Sequence, residues 1–461
     1  MSMNTGAYIA DVYTFGAHGN GRDVDTAAIQ AAIDACAARG GGQVLLRAGI
    51  FLTGTVRLRS HVTLHLTSSA VLLGSPDIND YQIDARQHYA PGIIGPVLVF
   101  AEDCEHVGIT GSGTINGNGA SFPRAMAVLR PVMVRFRDCQ HVIMRNCMLR
   151  DGSSWAVHAV GCQDVRFEDL SIDNLLHATS DGLDIDGCEQ VFVSRCAIAS
   201  GDDSIALKAT QPGRPCRDIV ISDCHLRSYC QALRVGPESL AEFARIVVSN
   251  CIIQDTGMGG ICLQVSHGGV MRELLFDNIV MDNVCNPISV RLGGWRDGDD
   301  NVKPWFLDDS RWAEGQLTDV RFSNIRARVP RYYLEGTAKE SHTFLANEKT
   351  AITVTGTDVT RPARINFDGV DITFAGGGTA EDAARAIPEL DRTYPTPFTF
   401  GVPPAYGLYA RHVDDLTLHH VRFRLASPDA RPAVVCEDVT DADLSGLRAD
   451  TSTLDTEGVT R

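Results

Sequence analysis

The sequence predicts an all-β chain wound into a single right-handed parallel β-helix of about ten coils. Three observations carry that expectation: a short motif that recurs along the chain, the spacing between its copies, and a composition rich in glycine and poor in aromatics. The motif is an apolar pair, two or three polar residues, then an apolar residue or Cys. It reads VIMRNC from Val142, VRFEDL from Val165, VFVSRC from Val191, IVISDC from Ile219 and IVVSNC from Ile246. It continues as LLFDNI from Leu274, VRFSNI from Val320, INFDGV from Ile365 and LTLHHV from Leu416. The first steps are 23, 26, 28, 27 and 28 residues, and the later ones run from 45 to 51. No unit of that size buries its apolar face alone, so the units must stack. Steps in the twenties that hold short β-runs between Gly, Asn and Asp point to a β-helix rather than a helical solenoid.

The elements follow in order. After Asp25, a candidate N-cap, residues 26 to 39 (TAAIQAAIDACAAR) have helical apolar spacing. That helix is expected to cap the first coil, because the ends of a solenoid need covering. The coils begin near Gly40 (GGGQVLLRAGIFLTGTVRLRSHVTLHL). The longer late steps imply insertions. One is residues 295 to 315, with Trp295, Trp305, Trp312 and the acidic run Asp297, Asp299 and Asp300; the other is residues 376 to 404. No Pro- or Ser-rich linker divides the chain, so residues 1–461 are expected to form one domain.

Composition narrows the partners. Of 461 residues, 44% are hydrophobic and 21% charged, the fractions of a folded globular chain. The net charge of −16 argues against nucleic acid and against anionic membrane surfaces, which both need basic patches. No apolar run of 18 residues exists to span a bilayer. The opening MSMNTGAYIADVYTFG lacks a basic segment followed by an apolar core, so the expectation is a cytoplasmic chain. The 14 Cys include no CxxC pair, and eight of them, such as Cys139, Cys162 and Cys188, sit where other coils have apolar residues. They read as reduced, buried and hydrophobe-like.

Aligning the coils by their apolar positions stacks WAVHAVGC from Trp155 on DGLDIDGC from Asp181, DSIALKA from Asp203, QALRVG from Gln231, GGICLQV from Gly259 and PISVRL from Pro287. Strand alternation sends Val157, Leu183, Ile205, Leu207, Leu233, Ile261 and Ile288 inward. One outward column then holds His158, Asp184, Ala206, Arg234, Cys262 and Ser289. The next holds Asp186, Lys208, Gly236, Gln264 and Arg291. Asp181, Asp202 and Asp203 stand at strand entries and are expected side by side on an exposed groove. Carboxylates that close do not all ionise easily. A proton-bearing acid beside an ionised carboxylate is what cleavage of a glycosidic bond requires.

Those residues resemble glycoside hydrolase family 28, the polygalacturonase-like pectin enzymes. That family's Asn-Thr-Asp-Gly-x-Asp and Gly-Asp-Asp are matched by Thr179-Ser180-Asp181-Gly182-Leu183-Asp184 and Gly201-Asp202-Asp203. The resemblance covers nearly the whole chain. It implies Asp202 as general acid, Asp181 and Asp203 as the pair that activates water, and inversion at the anomeric carbon. It implies a pectin-type or related oligosaccharide or polysaccharide as substrate, and neither cofactor nor metal is expected. The loops after residue 291 and at 376 to 404 are expected to block one end of the groove, which makes the action exo. Two motifs depart from the pattern. The family's Gly-His-Gly falls on Cys230-Gln231-Ala232, and its Arg-Ile-Lys on Cys262-Leu263-Gln264, so this chain does not resemble a typical polygalacturonase there. QALRVGPES from Gln231 and PISVRLG from Pro287 resemble bacterial relatives assigned to rhamnogalacturonan-type substrates instead.

The expected substrate contacts are His158, Asp184, Lys208, Gln231, Arg234, Gln264 and Arg291. For Arg234 a salt bridge to an Asp is the lesser reading beside substrate contact; Asp184 is equally read as a supporting hydrogen-bond partner. Two further readings stand beside the hydrolase. The Asp trio suits the Ca²⁺ of a β-helix lyase, and a non-catalytic β-helix suits a carbohydrate-binding adhesin. Nothing in the sequence fixes an oligomeric state.

Overall fold

The computed structural model describes residues 8–83, 95–124, 129–294, 312–329, 349–393, 395–396, 398–450, 454–455 and 459–460. Trp295, Trp305, Asp297, Asp299 and Asp300 lie outside them. The chain divides into two compact units, Met1–Asp202 and Asp203–Arg461. Both are coiled as right-handed parallel β-helix.

In the first unit the longest ladder stacks Ile9–Asp11, Gly42–Leu46, Val62–Leu66, Glu105–Thr110, Gln140–Arg145, Gln163–Glu168 and Glu189–Ser194, all parallel. Alternation puts Val142, Val165 and Val191 in one inward file, each fully buried. Helix α1 (Thr26–Ala37) covers the start with Ile29, Ala32, Ile33 and Cys36. Asp25 occupies the N-cap position, but its carboxylate does not cap the helix. It accepts the backbone N–H groups of His18 (2.7 Å) and Gly19 (3.0 Å) instead, closing the preceding turn.

In the second unit the corresponding ladder runs Cys216–Ser222, Phe243–Ser249, Val270–Val284, Gln316–Arg328, Ala363–Asp368, Leu408–His419 and Val434–Asp443. Phe276, Phe322 and Phe367 stack face to face in its interior at 5.1 and 5.0 Å. The insertion at 376 to 404 carries a short helix, Ala380–Ala383, closed by a Thr379–Asp382 capping box. Its Ile387 and Phe400 pack with Ala405, Tyr409 and Val435.

The corners account for part of the acidic composition. Among the described residues 28 non-glycine positions have positive φ, and 18 of these are Asp or Asn, the side chains that best tolerate the left-handed region. Several corner carboxylates take a bidentate Arg from a later coil, as in Asp169–Arg195 and Asp218–Arg245. Each such surface pair contributes no more than about 1 kcal/mol. All 14 cysteines are buried and none is in a disulfide.

Candidate active site

Three strands of the first unit carry its part of the predicted site: β1 (Val132–Arg137), β2 (Val157–Val160) and β3 (Leu183–Asp186). The register pairs Arg135 with His158 and His158 with Asp184, one column of the same face. Arg137 pairs with Val160, and Val160 with Asp186. The alternation is as the sequence dictates, but the column is not open: His158 and Asp184 are fully buried and Asp186 nearly so.

Nε of Arg135 donates to Nδ1 of His158 at 3.1 Å. An arginine N–H only donates, so Nδ1 accepts and the neutral imidazole carries its proton on Nε2. Nε2 lies 3.8 Å from Asp186 Oδ2, beyond direct hydrogen-bond reach. Trp155 meets the imidazole edge-on at 5.1 Å. Burial pushes His158 down to about 4, against the pull of Asp186 and with help from Arg135. His158 is therefore neutral at neutral pH.

The segment bearing Asp181 is fixed from below. Asn174, fully buried, donates through Nδ2 to Ser154 O (2.9 Å) and Asp181 O (2.8 Å), and accepts the Gly152 N–H (2.9 Å). Buried Arg130 donates to Ser153 O (2.8 Å), to Nδ1 of His177 (3.3 Å) and to Thr179 Oγ1 (2.6 Å). The N–H groups of Gly201 and Asp202 both point at Ser180 O, at 3.1 and 3.3 Å, which ties the Asp202 backbone to the residue before Asp181. Glycine is required at 201 because a Cβ there would fall 2.0 Å from His177 O. Asp181 is buried, whereas Asp202 is partly exposed.

The second unit holds β4 (Ile205–Ala209), β5 (Gln231–Ser239), β6 (Gly259–Val265), β7 (Ile288–Leu292) and β8 (Ile352–Thr355). Ala206, Arg234, Cys262 and Ser289 are successive partners, as the aligned coils predict. Gln264 pairs with Arg291. The expected Lys208–Gly236 partnership fails, because the register shifts between Leu207–Val235 and Ala209–Ser239, two residues of β4 against four of β5. That irregularity carries Glu238, whose carboxylate lies 3.9 Å from Lys208 Nζ.

Asp203 is held at both oxygens. Oδ1 accepts the Gln231 N–H (3.3 Å) and Oδ2 accepts Nη1 of Arg234 (3.2 Å), while Nε of Arg234 donates to Gly236 O (2.9 Å). Gln231 and Gln264 are buried; Oε1 of the first and both amide atoms of the second have no hydrogen-bond partner among the described residues. The Arg291 guanidinium faces protein, not a groove. It donates to Gly356 O and Leu390 O, each at 2.6 Å, and lies 5.1 Å over the Phe400 ring. Burial lowers it to about 10. Trp312 carries Arg392 on its face at 5.1 Å, which anchors the insertion.

Sequence reasoning missed Arg130, Arg135, Arg137 and Asn174. Arg135 and Arg137 were legible in principle. VMVRFR from Val132 alternates like the strands after it and sends both arginines to the outward face. Arg130 and Asn174 sit in connections, where no periodicity marks them.

The model of glycosyl hydrolases family 28 matches residues 87–385. A Vitis vinifera protein named probable polygalacturonase is 27% identical over 300 residues, 60% of this chain and 61% of that one. An exo-poly-alpha-D-galacturonosidase of Dickeya chrysanthemi is 36% identical over 121 residues, 24% of this chain and 20% of that protein. The match thus spans less than two thirds of either relative. The family 28 exopolygalacturonase of Yersinia enterocolitica superposes with a TM-score of 0.72 at 18% identity, covering 96% of this chain and 79% of the other.

Proposed function

The chain belongs to the glycosyl hydrolases of family 28, and from that premise we propose that it hydrolyses a glycosidic bond in a pectin-type or related plant oligosaccharide by a single displacement. Asp202 gives its proton to the leaving glycosidic oxygen. Asp181 and Asp203 draw a proton from a water whose oxygen attacks the anomeric carbon from the opposite face. One bond to that carbon breaks and one forms, so the configuration inverts.

The observation that carries this division of labour is the contrast between two consecutive carboxylates. Asp202 is partly exposed, while Asp203 is buried and ion-paired with Arg234. An acceptor-only, cation-paired carboxylate suits a base, and an accessible carboxyl suits an acid that must meet the leaving oxygen. Exo action is supported by the name of the Dickeya relative and by the folded insertion at 376 to 404. The substrate is short or weakly charged. The net charge of −16 repels a long polyanion, and the positions of the family's paired cations are Cys262 and Gln264.

The test is Asp202→Asn, assayed on homogalacturonan and rhamnogalacturonan oligosaccharides. Loss of hydrolysis with unchanged folding is expected. A fully active variant would refute the assignment.

A further inference from the structure

We propose that Arg234 is a positioning residue that acts through Asp203, orienting this carboxylate toward the water it deprotonates, rather than a cation that grips the substrate. The inference rests on the reading of Asp203 given above. The side chains next to Arg234 in register, Ala206 and Cys262, are small and fully buried, so the guanidinium has room to turn along the sheet face instead of standing out from it. It is then fixed at two points: Nε on Gly236 O and Nη1 on Asp203 Oδ2. The Gln231 N–H takes the other carboxylate oxygen. Two donors on two oxygens set the plane of the carboxylate, and with it the direction of the lone pairs left for water. The side chains of the pair are 8% and 1% exposed, so the contact is little screened by solvent.

Neither neighbour of Arg234 can replace it, since Cys262 and Ala206 carry no charge. Lys208 is engaged otherwise, with its ammonium 3.9 Å from Glu238. A planar fork fixed to a backbone carbonyl is also something lysine does not reproduce. Arg234→Lys keeps the charge but loses one anchor.

The experiment is a kinetic double-mutant cycle on the full chain with Asp203→Asn, Arg234→Gln and the pair, beside Arg234→Lys and added guanidinium ion. Arg234→Gln should lower kcat on the order of 100-fold with KM within about twofold, as expected when an interaction matters in the transition state and not in substrate binding. The double variant should be no slower than Asp203→Asn alone, because Arg234 has nothing left to position. Arg234→Lys, and guanidinium added to Arg234→Gln, should each recover part of kcat. If Arg234→Gln does not fold, the same cycle is run with Arg234→Lys. An additive cycle, or a large rise in KM with kcat intact, overturns the inference while the hydrolase reading stands. A fully active Asp202→Asn chain, or a wild type that hydrolyses nothing, overturns that reading and this inference with it.

Discussion

The guanidinium of Arg135 and the imidazole of His158, adjacent on neighbouring strands, share a 3.1 Å hydrogen bond in which Arg135 Nε donates to His158 Nδ1. This bond fixes the tautomer of His158 and opposes its protonation, since a proton on Nδ1 would face an obligate donor. It gives the fold a pH dependence with a definite sign.

His158 is held at about 4 when folded, against an ordinary 6.5. Between those values the unfolded chain binds more protons, so folding is progressively weakened as pH falls from about 6.5 toward 4. Comparing unfolding of wild type and His158→Gln across this range isolates the effect. The wild type should lose up to about 3 kcal/mol more than the variant. His267, pushed down to about 3 by burial, adds a slope of the same sign that both proteins share. Parallel pH profiles would show that His158 charges without cost.

The cysteines should be unreactive. Burial pushes Cys147 and Cys285 up to about 12 and holds Cys162 well above the ordinary thiol range, and a thiol that does not ionise is a poor nucleophile. An aromatic disulfide reagent should titrate none of the 14 thiols in the native chain and all of them in denaturant. A rapidly labelled native thiol would contradict the lumen assignment of that residue.

Gln264 presents a fully buried amide that finds no partner among the described residues, and an amide left without one is costly to bury. Gln264→Met should stabilise the fold by roughly 1 kcal/mol, by removing an unsatisfied polar group. A loss of kcat/KM of about 10-fold in the same variant would place a sugar hydroxyl on this amide. Unchanged kinetics would remove Gln264 from the substrate contacts.

Arg291 ties strand β7 to the late insertion through Leu390 O and the Phe400 ring. Arg291→Ala should cost about 2–4 kcal/mol from two lost charged hydrogen bonds and the ring contact. Limited proteolysis should then cut within residues 376 to 404 before any other segment, and the products should shift toward longer oligosaccharides. Equal protease resistance would place the insertion's anchor elsewhere.

Strand alternation makes parts of the outward columns legible in the sequence. His158 with Asp184, and Arg234 with Cys262 and Ser289, follow from a side-chain period of two that no loop can alter. The same period says nothing about what lies over a face. The columns predicted to line an open groove are buried, and Arg291 is met by Gly356 and Leu390, 65 and 99 residues away in sequence. The extra residues at Pro237 and Glu238 broke the Lys208 column, since a register shift adds residues that an ungapped alignment does not see. Asp25 stood at the right position for a cap and spent its carboxylate on His18 and Gly19, a choice between two local donors that sequence does not rank.

The cleavage proposed for the Asp181, Asp202 and Asp203 carboxylates proceeds by one displacement at the anomeric carbon. The most direct measurement is proton NMR of the first product formed from a short pectic oligosaccharide, recorded before mutarotation. The anomeric signal should show the configuration opposite to that of the bond cleaved. A first product that retains the configuration would contradict single displacement.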